Sequence, residues 1–357
     1  MLTSRLNRRQ LVIAGGTSAI AAPLLSRVGV SAQDAITATL VTDTAGIGDQ
    51  SFNDMANEGG TRAQDELGVE YNVLESQTAA DYVRNLTDAA ETSDITIGVG
   101  FLLTDALTEV ATQYPDSSFA IIDSVVETDN VISYLFREQE GAFLAGAIAA
   151  LTTQTNTIGF VGGIRIPPVM RYEVGYVAGA RSVNPDIEIS IAYADDFEDP
   201  DKGKELSLAQ FNAGADIVHA AAGRTGIGAF DAAIEKGEGF WVLAADRDQS
   251  SLGEDFQLAA VIKGIDVAVY DSIKSVQDDT FAGGIHDLGI ADEGISLGAI
   301  HSSVPAETTD VIAAYSAAIA AGAIVPPVDD DTLASFELVS PDAIPAGDAT
   351  PVASPAN

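Results

Sequence analysis

Five aspartates stand where short apolar, β-prone runs end: Asp43 after 36–41, Asp123 after 118–122, Asp195 and Asp196 after 187–193, and Asp246 after 240–244. A carboxylate in such a place accepts hydrogen bonds from the N–H or O–H groups of a ligand. In a chain with 53 acids, any one of them is as readily a helix cap or a loop acid. Aromatic residues make up only 6% of the chain, yet Phe52, Tyr172, Tyr176 and Phe197 fall in or just after the same loops. Two rings facing across a cleft sandwich a flat ligand, at roughly 1–3 kcal/mol per stacked base. The plainer role for each ring is a core contact. Lys263 closes another apolar run, where a cation holds a ligand oxygen or balances the acids. Gly223 opens Gly-Arg-Thr-Gly-Ile-Gly between a strand and a helix, a turn whose N–H groups suit hydroxyls. The turn lacks both the Walker and the Rossmann glycine spacing, and the surrounding acids would repel phosphate. The chemistry on offer is binding rather than bond-breaking.

Signatures of catalysis are missing. There is no Gly-x-Ser-x-Gly elbow and no His-Glu-x-x-His, and His219, His286 and His301 fall in separate elements without metal spacing. His219 reads as a core residue inside a strand. Acid pairs such as Asp195 and Asp196 serve glycoside hydrolysis in other proteins, but nothing selects that chemistry here. The expectation is a non-enzyme with no metal and no cofactor.

The elements that must position these residues alternate between apolar strands and helical segments, the mark of α/β architecture. A first cycle runs from Ile36 through strands at 36–41, 69–74, 95–99, 118–122 and 131–136, with helices at 53–67, 79–92 and 105–113. A helix of small residues, 140–151, leads to a second cycle. Its strands are at 157–161, 187–193, 217–221 and 240–244, and its helices at 171–183, 202–213 and 228–236. In open parallel sheets, ligands sit beyond the carboxyl ends of the strands, where the aspartates stand. The strand 258–262 and the helix 266–276 are expected to return to the first lobe, and the alanine-rich helix 308–321 to finish the second. The division expected is an export signal over 1–32, an N-terminal lobe of 33–130 plus 258–292, a C-terminal lobe of 131–257 plus 293–339, and a disordered tail over 340–357. Chain crossings near 128–155, 252–262 and 290–305 would form a three-stranded hinge. Two lobes on a hinge suggest a ligand trap that closes.

Length and composition agree. At 357 residues and 46% hydrophobic, the chain can hold two ordinary domains. Its net charge of −36 excludes nucleic-acid binding by phosphate neutralisation. That acidity suits a solvated surface or a high-salt setting. Cysteine is absent, so there are no disulfides and no cysteine to carry a lipid anchor. Arg8-Arg9 followed by a weakly apolar run and Val30-Ser31-Ala32 reads as a twin-arginine-type export signal. The mature chain is expected outside the cytoplasmic membrane, in the periplasm or at the cell surface, peripheral to the membrane and monomeric.

The stretch Thr42-Asp43-Thr44-Ala45-Gly46-Ile47-Gly48-Asp49-Gln50-Ser51-Phe52-Asn53 resembles the opening motif of the basic membrane protein family. These are substrate-binding proteins of ABC importers and include purine nucleoside receptors. Collinear matches follow at 119–123, at 159–163 with 171–176, at 197–205, at 221–226, at 245–249 and at Lys263, so the resemblance covers about residues 36–300. It implies a type I periplasmic-binding-protein fold, with two doubly wound parallel-sheet lobes joined by a three-stranded hinge. It implies a purine nucleoside ligand, such as guanosine, inosine or adenosine, and a permease and ATPase as partners. Carried onto this sequence, Phe52 and Phe197 would sandwich the base. Asp43, Asn53 and Asp123 would bind its polar edge, and Asp246, Lys263 and the Gly223 turn would hold the ribose. A carboxylate accepts and does not donate, which favours bases with a ring N–H. Three positions depart from the family pattern: its lipidated cysteine is absent, Gln50 stands where lysine is common, and Ala45 stands where glycine is common. Alternatives within reach of the residues alone are the same fold binding a sugar or small signal molecule, a ligand-sensing partner of a membrane receptor, and an exported nucleoside or glycan hydrolase.

Overall fold

A computed structural model describes residues 35–344. The expected export segment 1–32 and most of the expected tail, 345–357, lie outside the described residues. The first half runs β1 (Thr37–Val41), α1 (Phe52–Leu67), β2 (Glu70–Leu74), α2 (Tyr82–Thr92), β3 (Ile95–Val99), α3 (Thr104–Gln113), β4 (Ser118–Ile122) and β5 (Val131–Phe136). The second runs α4 (Glu138–Thr152), β6 (Thr157–Gly162), α5 (Pro167–Val183), β7 (Glu188–Tyr193), α6 (Pro200–Asn212), β8 (Ile217–Ala221), α7 (Ile227–Lys236), β9 (Trp241–Ala244) and β10 (Gln257–Lys263). After these come α8 (Ile265–Gln277), β11 (Gly284–Leu288), β12 (Ile295–Leu297), α9 (Ala306–Ala320) and α10 (Asp330–Ala334).

Two six-stranded sheets result, ordered β11-β5-β4-β3-β1-β2 and β12-β10-β9-β8-β6-β7. The five main strands of each sheet are parallel and follow one pattern, and the sixth differs: β11 joins β5 in parallel, whereas β12 joins β10 antiparallel. Their central strands, such as Ile95–Val99 and Ile217–Ala221, are buried throughout, as strands covered by helices on both faces must be. Among the described residues no helix is long and apolar enough to cross a membrane.

The crossings between lobes correct the expected division. β5 was placed with the second lobe and β10 with the first, but each pairs in the sheet of its own half. In both halves the fifth strand follows the fourth without an intervening α-helix, and the chain leaves the lobe only after it, at Arg137 and at Gly264. The expected boundaries at 130 and 257 each fall one strand early, because a strand is marked by apolar content and not by the sheet it joins. What crosses is the next helix. α4 packs on α5 and α9 of the second lobe, and α8 packs on α1 of the first. The third crossing, between β11 and β12, lies beside the other two: Leu288 O accepts from Arg137 N at 2.8 Å and Gly294 O from Gly264 N at 2.9 Å.

The exchanged helix α4 is buried almost all round. It meets α5 backbone to backbone, since a Cβ on Gly146 would come 2.0 Å from Tyr176 O and one on Gly179 would come 1.9 Å from Phe143 O. Several segments escaped the sequence, among them three with a physical reason. The strand β11 has an exposed, mixed sequence (Gly-Ile-His-Asp-Leu) with no apolar run to betray it. α5 begins at Pro167 rather than Arg171, because proline fits the first helical turn, where its missing N–H has no partner to lose. Residues 340–344, expected as tail, carry a 3₁₀ turn at Pro341–Ala343, and Ile344 packs on the core.

Candidate functional site

The loop from β1 to α1 is built around Asp49, which is fully buried. Its Oδ1 accepts from the N–H of Ser51 (2.9 Å) and Asp54 (3.1 Å), and its Oδ2 from the N–H of Asn53 (2.7 Å). These are donors that the first turn of α1 would otherwise leave without a partner, and an anion belongs at that end of a helix. Asn53 Nδ2 then donates to both Asp49 Oδ2 (3.1 Å) and Asp43 Oδ1 (2.9 Å). Two carboxylates can only be met by the NH₂ side of the amide, which fixes the orientation of Asn53. Its Oδ1 is buried and takes no hydrogen bond from the protein. Asp43 also accepts from Ala45 N at 3.0 Å. Burial pushes Asp43 up to about 6 against the hydrogen bond from Asn53, with Asp49 and Glu198 adding to the rise. Burial likewise pushes Asp49 up to about 6.

Asp123 and Asp246 occupy corresponding places after the fourth strand of each sheet, both with left-handed backbone (φ +66° and +68°), a conformation that aspartate tolerates better than most residues. Their partners differ. Asp246 accepts from Tyr172 OH (3.1 Å) of its own lobe and from Ser51 Oγ (2.8 Å) of the other. Asp123 Oδ2 accepts from Lys263 Nζ (2.6 Å), while its Oδ1 is buried and takes no hydrogen bond from the protein. Lys263, at the last position before the second crossing, also donates to Glu138 Oε1 (2.7 Å), the first residue of α4. Glu138 Oε2 in turn accepts from Arg171 Nε (2.6 Å). Burial raises Glu138, but Lys263 and Arg171 outweigh it and hold it below the ordinary carboxylate range. Burial lowers Lys263, but Asp123 and Glu138 outweigh that and push it up to about 12. Burial carries Asp123 up to about 7.

Between these groups lies a cleft of about 560 Å³, measured to its open mouth. Asp43, Phe52, Asn53, Asp123, Phe197, Gly223, Asp246 and Lys263 all line it. Phe52 sits over Gly100, whose φ of +109° needs glycine and whose Cβ would come 3.4 Å from both the ring and Asp43. Phe197 lies over Gly163, where a Cβ would come 2.3 Å from its ring. The turn at Gly223 steadies it: Thr225 N donates to Phe197 O (3.1 Å), and Thr225 Oγ1 donates to Asp196 O (3.1 Å) while accepting from Asp199 N (3.0 Å). Across the rim, Gln249 Nε2 donates to Gln50 O (2.7 Å) and Arg247 pairs with Glu58 (2.8 Å), so the lobes are held face to face.

Other aromatic and acidic candidates go elsewhere. Tyr172 lines the cleft, but Tyr176 is in the core against His219 and Phe160. His219 is buried with Nδ1 2.9 Å from Leu243 O, and burial pushes it down to about 4, so it stays neutral. Asp195 is exposed, and neither it nor Asp196 lines the cleft, although both belong to the loop that leads to Phe197. Residues not singled out earlier include Asp49, Glu138, Arg171 and the apolar wall of Ile166, Pro168 and Val169. Asp49 stood inside the quoted motif; Glu138 had no signal among so many acids. Among the described residues no three His, Cys, Asp or Glu side chains group as metal ligands.

A family profile described as "ABC transporter substrate-binding protein PnrA-like", the Bmp family, matches residues 36–327. The chain belongs to the Bmp family. Among its relatives, the nucleoside-binding protein BmpA of an ABC transporter in Lactococcus lactis is 36% identical over 312 residues, covering 81% of this chain and 88% of that protein. A CD4+ T-cell-stimulating antigen of Listeria monocytogenes is 35% identical over 313 residues, covering 82% and 88%. An uncharacterized lipoprotein of Pyrococcus abyssi is 37% identical over 271 residues, covering 72% and 67%. Among solved structures, an ABC-transporter solute-binding protein of Aeropyrum pernix superposes with a TM-score of 0.78 at 30% identity, covering 84% of this chain and 96% of that one. This Bmp-family chain is therefore a substrate-binding protein of an ABC transporter, with two parallel-sheet lobes of the periplasmic-binding-protein type.

Proposed function

We propose that the chain is the exported receptor of a nucleoside importer and binds one purine nucleoside between its lobes. The observation that carries this reading is a pair of buried acceptors, Asn53 Oδ1 and Asp123 Oδ1, without a protein partner in a cleft that Phe52 and Phe197 also line. A buried acceptor left unpaired costs about 1–3 kcal/mol, which a ligand N–H or O–H offsets. In this reading the rings stack on the base and Asn53 with Asp43 reads its N–H edge. Asp123, Lys263, Asp246 and Gly223 hold the ribose, which moves Asp123 away from the base edge, since its bond to Lys263 ties it to that end of the cleft. The lobes close about the three crossings, the rim contacts of Ser51 and Gln249 forming only when they meet. The nucleoside-binding relative from Lactococcus supports the ligand class. A permease and ATPase complete the importer, and the receptor acts as a monomer without catalysis.

The test is calorimetry on the purified chain, unfolded and refolded to strip bound ligand, against guanosine, inosine, adenosine, cytidine, ribose and glucose. One-to-one heat with a purine nucleoside, lost in Phe52→Ala, is the expected outcome. Heat with a sugar and none with any nucleoside would keep the fold and overturn the ligand.

A further inference from the structure

The cleft is out of electrostatic balance. Asp43, Asp49, Asp123 and Asp246 line it, with Lys263 as the cation among the lining residues. Lys263 is already committed to Asp123 and Glu138, and Arg171 behind it to Glu138. The hydrogen bonds reaching the other three carboxylates come from neutral groups. They are Asn53 and the Ala45 N–H on Asp43, backbone N–H groups and Asn53 on Asp49, and the hydroxyls of Ser51 and Tyr172 on Asp246. Carboxylates removed from water without a cation are costly. The cost shows in Asp43 and Asp49, each pushed up to about 6 by burial, with Glu198 as a further like charge facing Asp43. Independently of the acids, Asn53 Oδ1 is a buried acceptor on a lining residue with no donor from the protein, and among the acids Asp123 Oδ1 is another. The rings of Phe52 and Phe197 also attract positive charge, and Lys263 Nζ already lies over Phe52, 5.2 Å from its centroid.

We propose that this cleft prefers nucleosides whose base carries a positive charge, namely N-methylated purine nucleosides such as 7-methylguanosine and 1-methyladenosine, over their neutral parents. The proposal rests on the nucleoside reading above. Methylation of a ring nitrogen spreads one positive charge over a flat ring, which lowers its cost of leaving water relative to a compact ammonium. It also makes the remaining N–H groups stronger donors toward Asn53 and Asp43. The same imbalance rejects nucleotides: a phosphate would meet the acids, and Lys263 has no free charge to offer it.

The experiment is calorimetry of the refolded chain with two matched pairs, guanosine with 7-methylguanosine and adenosine with 1-methyladenosine. Each pair is titrated near pH 6 in buffers of different ionisation heat, so that proton release is counted. The expected result is a cation bound roughly tenfold more tightly than its parent in at least one pair. That cation should also release more protons than the parent, because it pulls the raised carboxylates back toward ionisation. Using two methyl positions keeps a local clash from deciding the outcome. Parents that bind as well as or better than both cations, or a cation preference with no extra proton release, would overturn the proposal while leaving the nucleoside reading in place. No heat with any of the four would overturn both.

Discussion

The two lobes share one strand order but build opposite walls of the cleft. The first lobe presents a wall whose polar groups, Asp123 apart, come from one loop, where Asp49 holds the start of α1 and Asn53 and Asp43 are locked by short-range hydrogen bonds. The second lobe presents an apolar face gathered from separated segments, Ile166, Pro168 and Val169 at the start of α5, Phe197 beyond β7, and Ala221 with Gly223 beyond β8, with Asp246 and Lys263 beside it at the ends of β9 and β10. A polar wall must be rigid before the ligand arrives, since a hydrogen bond is lost within a fraction of an ångström. An apolar wall needs only shape, which packing can assemble from anywhere.

The exchanged helices offer the severest way to break this likeness between lobes. α4 touches α5 through Gly146 and Gly179, and α8 touches α1 through Gly59, where a Cβ would come 2.3 Å from Asp266 O. In every case the obstacle is backbone, which cannot swing aside. Gly179→Ala should cost on the order of 3 kcal/mol and Gly59→Ala somewhat less, read from urea midpoints. Equal, small shifts would show that the helices can slide apart at little cost.

The walls themselves are sharpened by truncating one ring from each. Phe52→Ala and Phe197→Ala should each weaken purine-nucleoside binding by roughly 10- to 100-fold while leaving the thermal midpoint of the free protein nearly in place. Loss at Phe52 alone would make the second wall a passive cover.

Acidity acts on stability and on binding with opposite sign. Burial pushes Asp43 and Asp49 up to about 6 in the folded protein, above the ordinary carboxylate range, so at neutral pH they subtract from stability. That penalty is relieved as the pH falls through about 6 and is fully absent below the unfolded value. Stability of the free protein should therefore rise between pH 7 and pH 5. Nucleoside affinity should fall over the same range, by about tenfold, because protonation of Asp43 removes its charge and turns one acceptor oxygen into a donor that meets the base N–H. Parallel trends in the two measurements would remove Asp43 from the ligand.

The smallest effect belongs to the outer flank of the apolar wall. Arg165, next to Ile166, pairs with Glu173 (2.9 Å) and with Asp330 (2.7 Å) of α10, tying the C-terminal segment to α5. Being partly exposed, the pair should contribute no more than about 1 kcal/mol. Arg165→Ala should raise hydrogen exchange in 328–336 and barely touch ligand affinity.

Much of this molecule was legible in its sequence because its information is local. Strand-end aspartates, the loop 42–53 and alternating apolar segments all act over a few residues, so periodicity and motif were enough to reach the α/β fold and to name eight of the eighteen residues that line the cleft. Partnership over long distances was not legible. Nothing in Glu138 distinguishes it from the other acids until α4 carries it beside Lys263, 125 residues away. The strands β5 and β10 look the same whichever sheet they join, and only the backbone geometry of the crossings at Arg137 and Gly264 decides it. The chain's own text determined which residues would bear charge, rings and turns. Tertiary structure alone decided which charges would neutralise one another and which would face the cleft unpaired, because a charge acts through space, and sequence distance says nothing of it.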